Sequence, residues 1–256
     1  MILPANLFKR ALRERRQQIG LWVTLSTAFA AEAVAGAGFD WLLLDTEHSP
    51  GDVLTVMGQL QALSGFPEVA PVVRPASNDP VLIKRFLDIG AQSLLIPYVQ
   101  SPEEAARAVA AVRYPPDGIR GVSALTRASQ FGRIPGYAKK AAEEICVIVQ
   151  IETQAGLDAL EAIAMVDGVD GIFIGPGDLA ASLGHIGELD HPAVVDKVKD
   201  AIGRILGCGK PAGILSGDPA FANACIALGT SFTAVGTDIG LLAPGADALA
   251  RKFRPE

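Results

Sequence analysis

Acid, acid and imidazole stand together in "DWLLLDTEHSPG", residues 40–51, where Asp45, Glu47 and His48 follow an apolar run and precede a Pro-Gly turn. Such a set suits proton transfer, because histidine titrates near neutral pH and a neighbouring acid can orient its ring. Position matters as much as type, since side chains at the end of a buried strand project onto a rim. Other apolar runs end in the same way. Arg74 closes "APVVR", Glu152 closes "CVIVQIE", Asp178 follows "GIFIG" through "GPGD", and Thr237 and Asp238 follow "FTAVG".

Eight such runs recur along the chain, at 20–25, 41–45, 70–74, 93–97, 146–152, 171–175, 211–215 and 232–236. Segments of helical periodicity lie between most of them, as in "DPVLIKRFLDIGA" and "SPEEAARAVAAVR". Near-continuous apolar strands alternating with helices imply a parallel sheet covered on its faces. Eight βα units in 256 residues match the size of an α/β TIM (β/α)8 barrel. A doubly wound open sheet is the alternative, because periodicity does not reveal closure. No G-x-G-x-x-G follows the first strand, which weakens a dinucleotide-binding reading. Without a linker or composition break, residues 1–256 read as one domain. The longest interval, Pro97 to Cys146, holds a helix and then "YPPDGIRGVSALTRASQFGRIPGYA", which reads as a long βα loop of the kind that often carries function.

A TIM barrel places its chemistry at the C-terminal ends of the strands. Glu152 and Asp178 would then lie on adjacent strands, near enough to share a cation. Two carboxylates without Cys or His between them favour a hard ion such as Mg²⁺ or Mn²⁺; salt bridges to loop arginines are the alternative. Gln150 lies two residues before Glu152 and shares its face one layer deeper. "GPGDLAAS" exposes backbone N–H groups at a helix start, so the amides of Gly177 and Asp178 can hold a carboxylate, while Asp178 can also serve as an N-cap. Arg74 is either a partner for barrel carboxylates or a donor to an oxyanion. His48 is either a loop histidine fixed by Asp45 or a general base. His185 and His191, in "GHIGELDHP", read as surface residues. No lysine ends a strand on this rim, so Schiff-base chemistry lacks its nucleophile.

The formal charge of −6 carries no domain-wide basic footprint, which argues against nucleic acid as a partner. The basic stretch "FKRALRERRQQ" reads as the solvated face of a first helix. No apolar run is long enough to span a bilayer, so no membrane partner is expected. Cys146, Cys208 and Cys225 show neither metal spacing nor a disulfide framework, and no secretory signal opens the chain. A reducing cytoplasm is the expected location.

Several segments together, "LLLDTEHSPGD", "VVRPASNDPVLIKRFLDIGAQSLLIPYVQSPEEA", "RYPPDGIRGVS", "RASQFG", "IVQIETQAGL" and "DGIFIGPGDLAASLG", carry a likeness over nearly the full length. The chain resembles the 4-hydroxy-2-oxoheptane-1,7-dioate aldolase family, metal-dependent class II pyruvate aldolases among the phosphoenolpyruvate/pyruvate-domain TIM barrels. The resemblance implies a divalent metal ion (Mg²⁺, Mn²⁺ or Co²⁺) on Glu152 and Asp178, Arg74 on the pyruvate enolate oxygen, and the Gly177 and Asp178 amides on its carboxylate. It implies that His48 activates a water as base, with Asp88 of "KRFLDIG" as its carboxylate partner. It further implies a homohexamer with exchanged C-terminal helices, pyruvate and an aldehyde as substrates, and a place in aromatic-compound catabolism. The family carries Gly where this chain has Thr46, a change without an expected catalytic consequence.

Asp88 ends the helix before the fourth strand, and so belongs at the bottom of its own barrel, away from His48. A real pair requires Asp88 from a neighbouring subunit. The expected reaction is reversible retro-aldol cleavage of a 4-hydroxy-2-oxo acid, with succinic semialdehyde as one aldehyde and tartronic semialdehyde, from a 2-dehydro-3-deoxy-sugar acid, as another. Loop shape, including 114–137 and "ILSGD", would choose between them. A hydroxyacyl-CoA lyase, with Arg120, Arg127 and Arg133 on the CoA phosphates, and a silent oxo-acid binder are the rival readings.

Overall fold

The computed structural model describes residues 1–254 and shows eight parallel strands in a closed barrel. The strands are β1 (Gln18–Val23), β2 (Trp41–Asp45), β3 (Ala70–Arg74), β4 (Ser93–Ile96), β5 (Cys146–Ile151), β6 (Gly171–Ile174), β7 (Ala212–Leu215) and β8 (Phe232–Thr237). Each of the eight expected apolar runs is a strand. Closure is carried by β1, which pairs with β2 on one side and with β8 on the other, and this rules out the open doubly wound sheet. A register shift between Gly20 and Trp22 marks the closing seam.

Helix starts are written into the sequence just beyond the strand ends. Asp79-Pro80, Ser101-Pro102 and Asp218-Pro219 each place a side chain that caps the new helix before a proline in its first turn. The chain therefore leaves each of these strands at the upper rim and returns along the outside of the barrel. Leu42, Leu44, Val73, Leu94 and Ile96 face the helices, while Trp22, Trp41, Leu43, Val72, Leu95, Ile148, Phe173 and Phe232 fill the barrel interior. The interior rings need room: a Cβ on Gly213 would sit 2.1 Å from the Phe232 ring, and one on Gly20 would sit 2.2 Å from Trp41.

Two expectations from the sequence are corrected. The first helix, Leu7–Arg13, is shorter than the basic stretch and is not simply a solvated face, because Phe8 and Leu12 pack into the lower mouth of the barrel and Lys9 is buried. Phe8 lies 5.6 Å from Trp41 and 5.8 Å from Phe232, ring to ring. The long segment 113–144 is not a βα loop. The helix Pro102–Val112 carries the chain down from β4 first, so the segment is an αβ connection across the lower face, leading into β5 at Cys146. Its Arg120 is buried, donates to Asp88 Oδ1 at 2.8 Å, and stacks 4.5 Å from the Tyr114 ring centre. Arg127 donates to the Ile89 carbonyl at 2.7 Å. No helix among the described residues is long and apolar enough to cross a membrane.

Candidate active site

A cavity of about 780 Å³ opens at the upper rim, lined among others by Trp22, His48, Arg74, Gln150, Glu152, Phe173, Gly177 and Asp178. The strand register assembles its floor. Asp45 and Arg74 are paired partners at the ends of β2 and β3, and the two side chains meet in a bidentate contact, with Nε on Oδ1 and Nη2 on Oδ2, each at 2.7 Å. Both residues are buried. Arg74 Nη1 lies 2.7 Å from Glu47 Oε2, and its guanidinium carbon lies 5.2 Å from the Trp22 ring centre. A guanidinium has five N–H groups, so three contacts leave two for a ligand in the cavity. Both readings of Arg74 therefore hold at once: it neutralises barrel carboxylates and can still donate.

Asp45 does not play the part the sequence suggested for it. Its carboxylate accepts from Arg74 and from the Glu47 N–H at 3.0 Å, so it orients Arg74 rather than the imidazole. The acids facing His48 Nε2 are Glu47 Oε2 and Asp178 Oδ2, each 3.9 Å away. The His48 side chain is 64% exposed, which leaves it free to turn towards a substrate or water.

Glu152 is the most constrained member. It is 2% exposed, and its Oε2 accepts from Gln150 Nε2 at 2.5 Å, so the two share a face as the strand alternation requires. Its Oε1 accepts from the Tyr98 N–H at 2.8 Å. Tyr98 has a φ of 56°, an uncommon conformation for a residue with a Cβ, and this turn aims its N–H at the carboxylate. Gly175 completes the cradle, since a Cβ there would lie 2.6 Å from Glu152 Oε2. Burial, with Glu47 and Asp178 nearby, outweighs both hydrogen bonds and raises the Glu152 pKa from 4.5 to about 7. Burial likewise raises that of Glu47, against the pull of Arg74.

These observations bear on whether the residues suit a cation. No arginine or lysine makes a salt bridge to Glu152 or Asp178 among the described residues, so the alternative of arginine salt bridges is not realised. A buried carboxylate with raised pKa, beside two further acids, is what a hard divalent ion relieves, and an all-oxygen donor set suits Mg²⁺ or Mn²⁺. The residues fit such an ion, with Glu47 a third acid at the same point, one to which the sequence assigned no metal role.

Asp178 lies at the third position of the helix Pro176–Ser182, whose N-cap is Gly175, so Asp178 is not the cap. Gly177 and Asp178 occupy the first turn, where N–H groups have no carbonyl of their own helix to meet. Thr237 lines the cavity, but Asp238 is buried against β1, accepting from the Thr24 and Leu25 N–H groups at 2.8 and 3.0 Å. Asp88 sits on the lower face with Arg120, as its place before β4 requires. His185 and His191 stack at 3.6 Å with Glu188 beside them, and His191 Nδ1 accepts from the Ala193 N–H as the cap of the next helix. Sequence reasoning misses Trp22, Phe173 and Tyr98. The first two sit mid-strand on the interior face and are legible by alternation; the Tyr98 turn leaves no such signal.

Residues 18–244 match the family model described as HpcH/HpaI aldolase/citrate lyase. The chain is 66% identical to a pyruvate aldolase of Rhizobium etli, over 99% of each chain. It is 54% identical to a 4-hydroxy-2-oxo-heptane-1,7-dioate aldolase of Salmonella arizonae, covering 98% of this chain and 95% of the relative. The crystal structure of an HpcH/HpaI aldolase/citrate lyase family protein from Burkholderia cenocepacia superposes with a TM-score of 0.94 at 39% identity, over 98% of this chain and all of that one. A closed barrel with an acid-lined upper rim, matched in sequence across β1 to β8, therefore places this chain in the HpcH/HpaI aldolase/citrate lyase family.

Proposed function

We propose that this protein is a pyruvate aldolase, a carbon-carbon lyase that reversibly cleaves a 4-hydroxy-2-oxo acid to pyruvate and an aldehyde. The observation that supports it best is one meeting of charges: Arg74, with two unspent N–H groups, faces the cavity beside a buried Glu152 that has no salt-bridge partner. Glu152 and Asp178 would hold a divalent ion, with Glu47 beside them. When bound, that ion supplies Lewis-acid polarisation of the substrate's 2-oxo group.

The chain's own groups do the rest. The Gly177 and Asp178 amides hold the substrate carboxylate at the helix start. His48 accepts the 4-hydroxyl proton through a water, the C3–C4 bond breaks, and the aldehyde departs. The electron pair moves into the pyruvate enolate, whose oxygen takes the two free N–H groups of Arg74. Fixed donors of this kind, already held in place by Asp45, stabilise developing charge without reorganising. His48 then returns the proton to C3 of pyruvate, again through water. Gln150 fixes the Glu152 carboxylate from below.

Asp88 completes the base as the carboxylate partner of His48 in a neighbouring subunit. Its position on the lower face, with Arg120 fixing one oxygen, supports delivery from outside the chain's own barrel. The helix Asp238–Arg251 and the residues after it expose Leu241, Leu242, Leu249 and Phe253, 57–79% each, which supports burial of this end in a homo-oligomer, a hexamer by resemblance. The 66% identity to a relative named pyruvate aldolase favours the aldolase reading over the acyl-CoA one.

The test is synthesis. Chelator-treated protein is incubated with pyruvate and a panel of aldehydes, with and without Mg²⁺, Mn²⁺ or Co²⁺, and 4-hydroxy-2-oxo acids are followed by NMR. Product that depends on added metal supports the reading; its absence with every aldehyde and metal removes it.

A further inference from the structure

The short connection between the helices Pro176–Ser182 and Pro192–Gly207 carries a cluster for which the aldolase reaction has no use: His185, Glu188 and His191. Two successive turns space them three residues apart, since the Glu188 N–H donates to the His185 carbonyl at 3.0 Å and the His191 N–H to the Glu188 carbonyl at 3.1 Å. Gly184 and Gly187, with φ of 85° and 81°, let the backbone take this path. The imidazoles stack at 3.6 Å, and one ligand atom from each of the three side chains lies within 4.8 Å of the others. His185 Nδ1 and Glu188 Oε2 are 3.4 Å apart, long for a hydrogen bond but close to the separation of about 3.3–3.5 Å that two ligands have on one tetrahedral Zn²⁺. Both histidines are half-buried and Glu188 is exposed, so the cluster is held from the protein side and open to solvent.

We propose that His185, Glu188 and His191 form a second metal site, for Zn²⁺ or another ion that prefers nitrogen such as Cu²⁺ or Ni²⁺, separate from the oxygen-lined catalytic cavity. The inference does not rest on the aldolase reading. Two imidazoles and one carboxylate suit such ions and select against Mg²⁺ and Mn²⁺, the reverse of the preference of Glu47, Glu152 and Asp178. His191 is in the neutral form that ligates, because its Nδ1 accepts from the Ala193 N–H at 3.2 Å. Ligation through that nitrogen replaces one long, neutral hydrogen bond, a contact much weaker than an imidazole–metal bond. Three protein ligands leave the fourth position to water. The ion ties the segment that follows one helix to the first residues of the next. Leu189 and Asp190, between two of its ligands, line the catalytic cavity, so occupation fixes part of the cavity rim.

Isothermal titration of the chelator-treated protein with Zn²⁺, in a large excess of Mg²⁺, tests this. The parent is expected to take up one Zn²⁺ per chain that Mg²⁺ does not displace and that two variants bind poorly. His185→Ala deletes a ligand, and His191→Asn deletes one while keeping a side chain that caps the helix. Each is expected to weaken that Zn²⁺ by about a hundredfold or more, at or above the largest effect that loss of a mere supporting contact has. Thermal unfolding by circular dichroism without metal verifies that both variants are folded. Cu²⁺ gives a second readout: the electron paramagnetic resonance spectrum of the parent should show coupling to two imidazole nitrogens, and that of each variant to one fewer. A parent that binds no Zn²⁺ in excess Mg²⁺ overturns the inference, as does a Zn²⁺ affinity that either substitution leaves unchanged. A Cu²⁺ spectrum of the parent without nitrogen coupling does so as well.

Discussion

Glu152→Gln isolates the electrostatic cost of the site. The carboxylate titrates near 7 in the folded protein against an ordinary 4.5, so the folded state holds a proton that the unfolded chain has lost between those values. A raised folded-state pKa contributes stability that is complete below pH 4.5 and lost as pH climbs through about 7. At 1.36 kcal/mol per pH unit, this interval makes the metal-free protein about 3 kcal/mol less stable at pH 8 than it would be with a neutral group there. The glutamine keeps its neighbours. Its oxygen accepts from the Tyr98 N–H, and its amide can donate to Gln150 Oε1, which has no hydrogen-bond partner, once the Gln150 amide turns over. The Glu152→Gln protein, stripped with EDTA, should therefore unfold at higher temperature than its parent at pH 8, by at most about 6–12 °C for a chain of this size. The gap should shrink towards zero near pH 4.5. Thermal unfolding by circular dichroism at fixed protein concentration reads it. Mn²⁺ should then raise the melting temperature of the parent and leave the variant unmoved. A variant less stable than the parent at pH 8 without metal would refute the reasoning.

Other expectations follow from the same contacts. Arg74→Ala should lower kcat by about a hundredfold or more, as loss of an oxyanion donor does. It should also destabilise the fold by about 3–5 kcal/mol, because the buried Asp45 loses its partner; turnover by the fraction that remains folded, checked by circular dichroism, separates the two effects. His48→Ala should abolish proton transfer and keep metal affinity, measured by isothermal titration with Mn²⁺; a fall in affinity would make His48 a ligand. If Asp88 serves a neighbour's His48, an inactive His48→Ala protein and an impaired Asp88→Asn protein should regain activity when refolded together, since mixed assemblies contain intact sites. No recovery in verified mixed oligomers would return Asp88 to a structural role with Arg120.

Much of the fold and the site is legible in the sequence, for reasons that differ by residue. The strands announce themselves because parallel barrel strands are apolar on both faces, and a polar residue at or just past the end of one is a rim residue by construction. Glu152, Asp178, Arg74 and His48 stand out in this way, and Gln150 follows from alternation alone. Contacts between strands are less visible. Asp45 and His48 are near neighbours in sequence, yet register gives Asp45 to Arg74 on β3, and Glu47 turns back to the cluster through the same arginine. Composition suggests function for residues 113–144 but not their end of the barrel, because Gly, Pro and Arg content is the same above and below; the intervening helix Pro102–Val112 decides it. The Tyr98 turn is hidden because a φ of 56° on an aromatic residue is imposed by its surroundings.

The central claim is that this cavity makes a pyruvate enolate, and the most direct measurement is exchange of the pyruvate C3 protons in D₂O, followed by NMR without any aldehyde. Chelated protein should leave the methyl signal intact, and added Mg²⁺, Mn²⁺ or Co²⁺ should restore exchange that Arg74→Ala and His48→Ala both lose. A methyl signal that persists with every metal, while pyruvate still binds, would contradict the account.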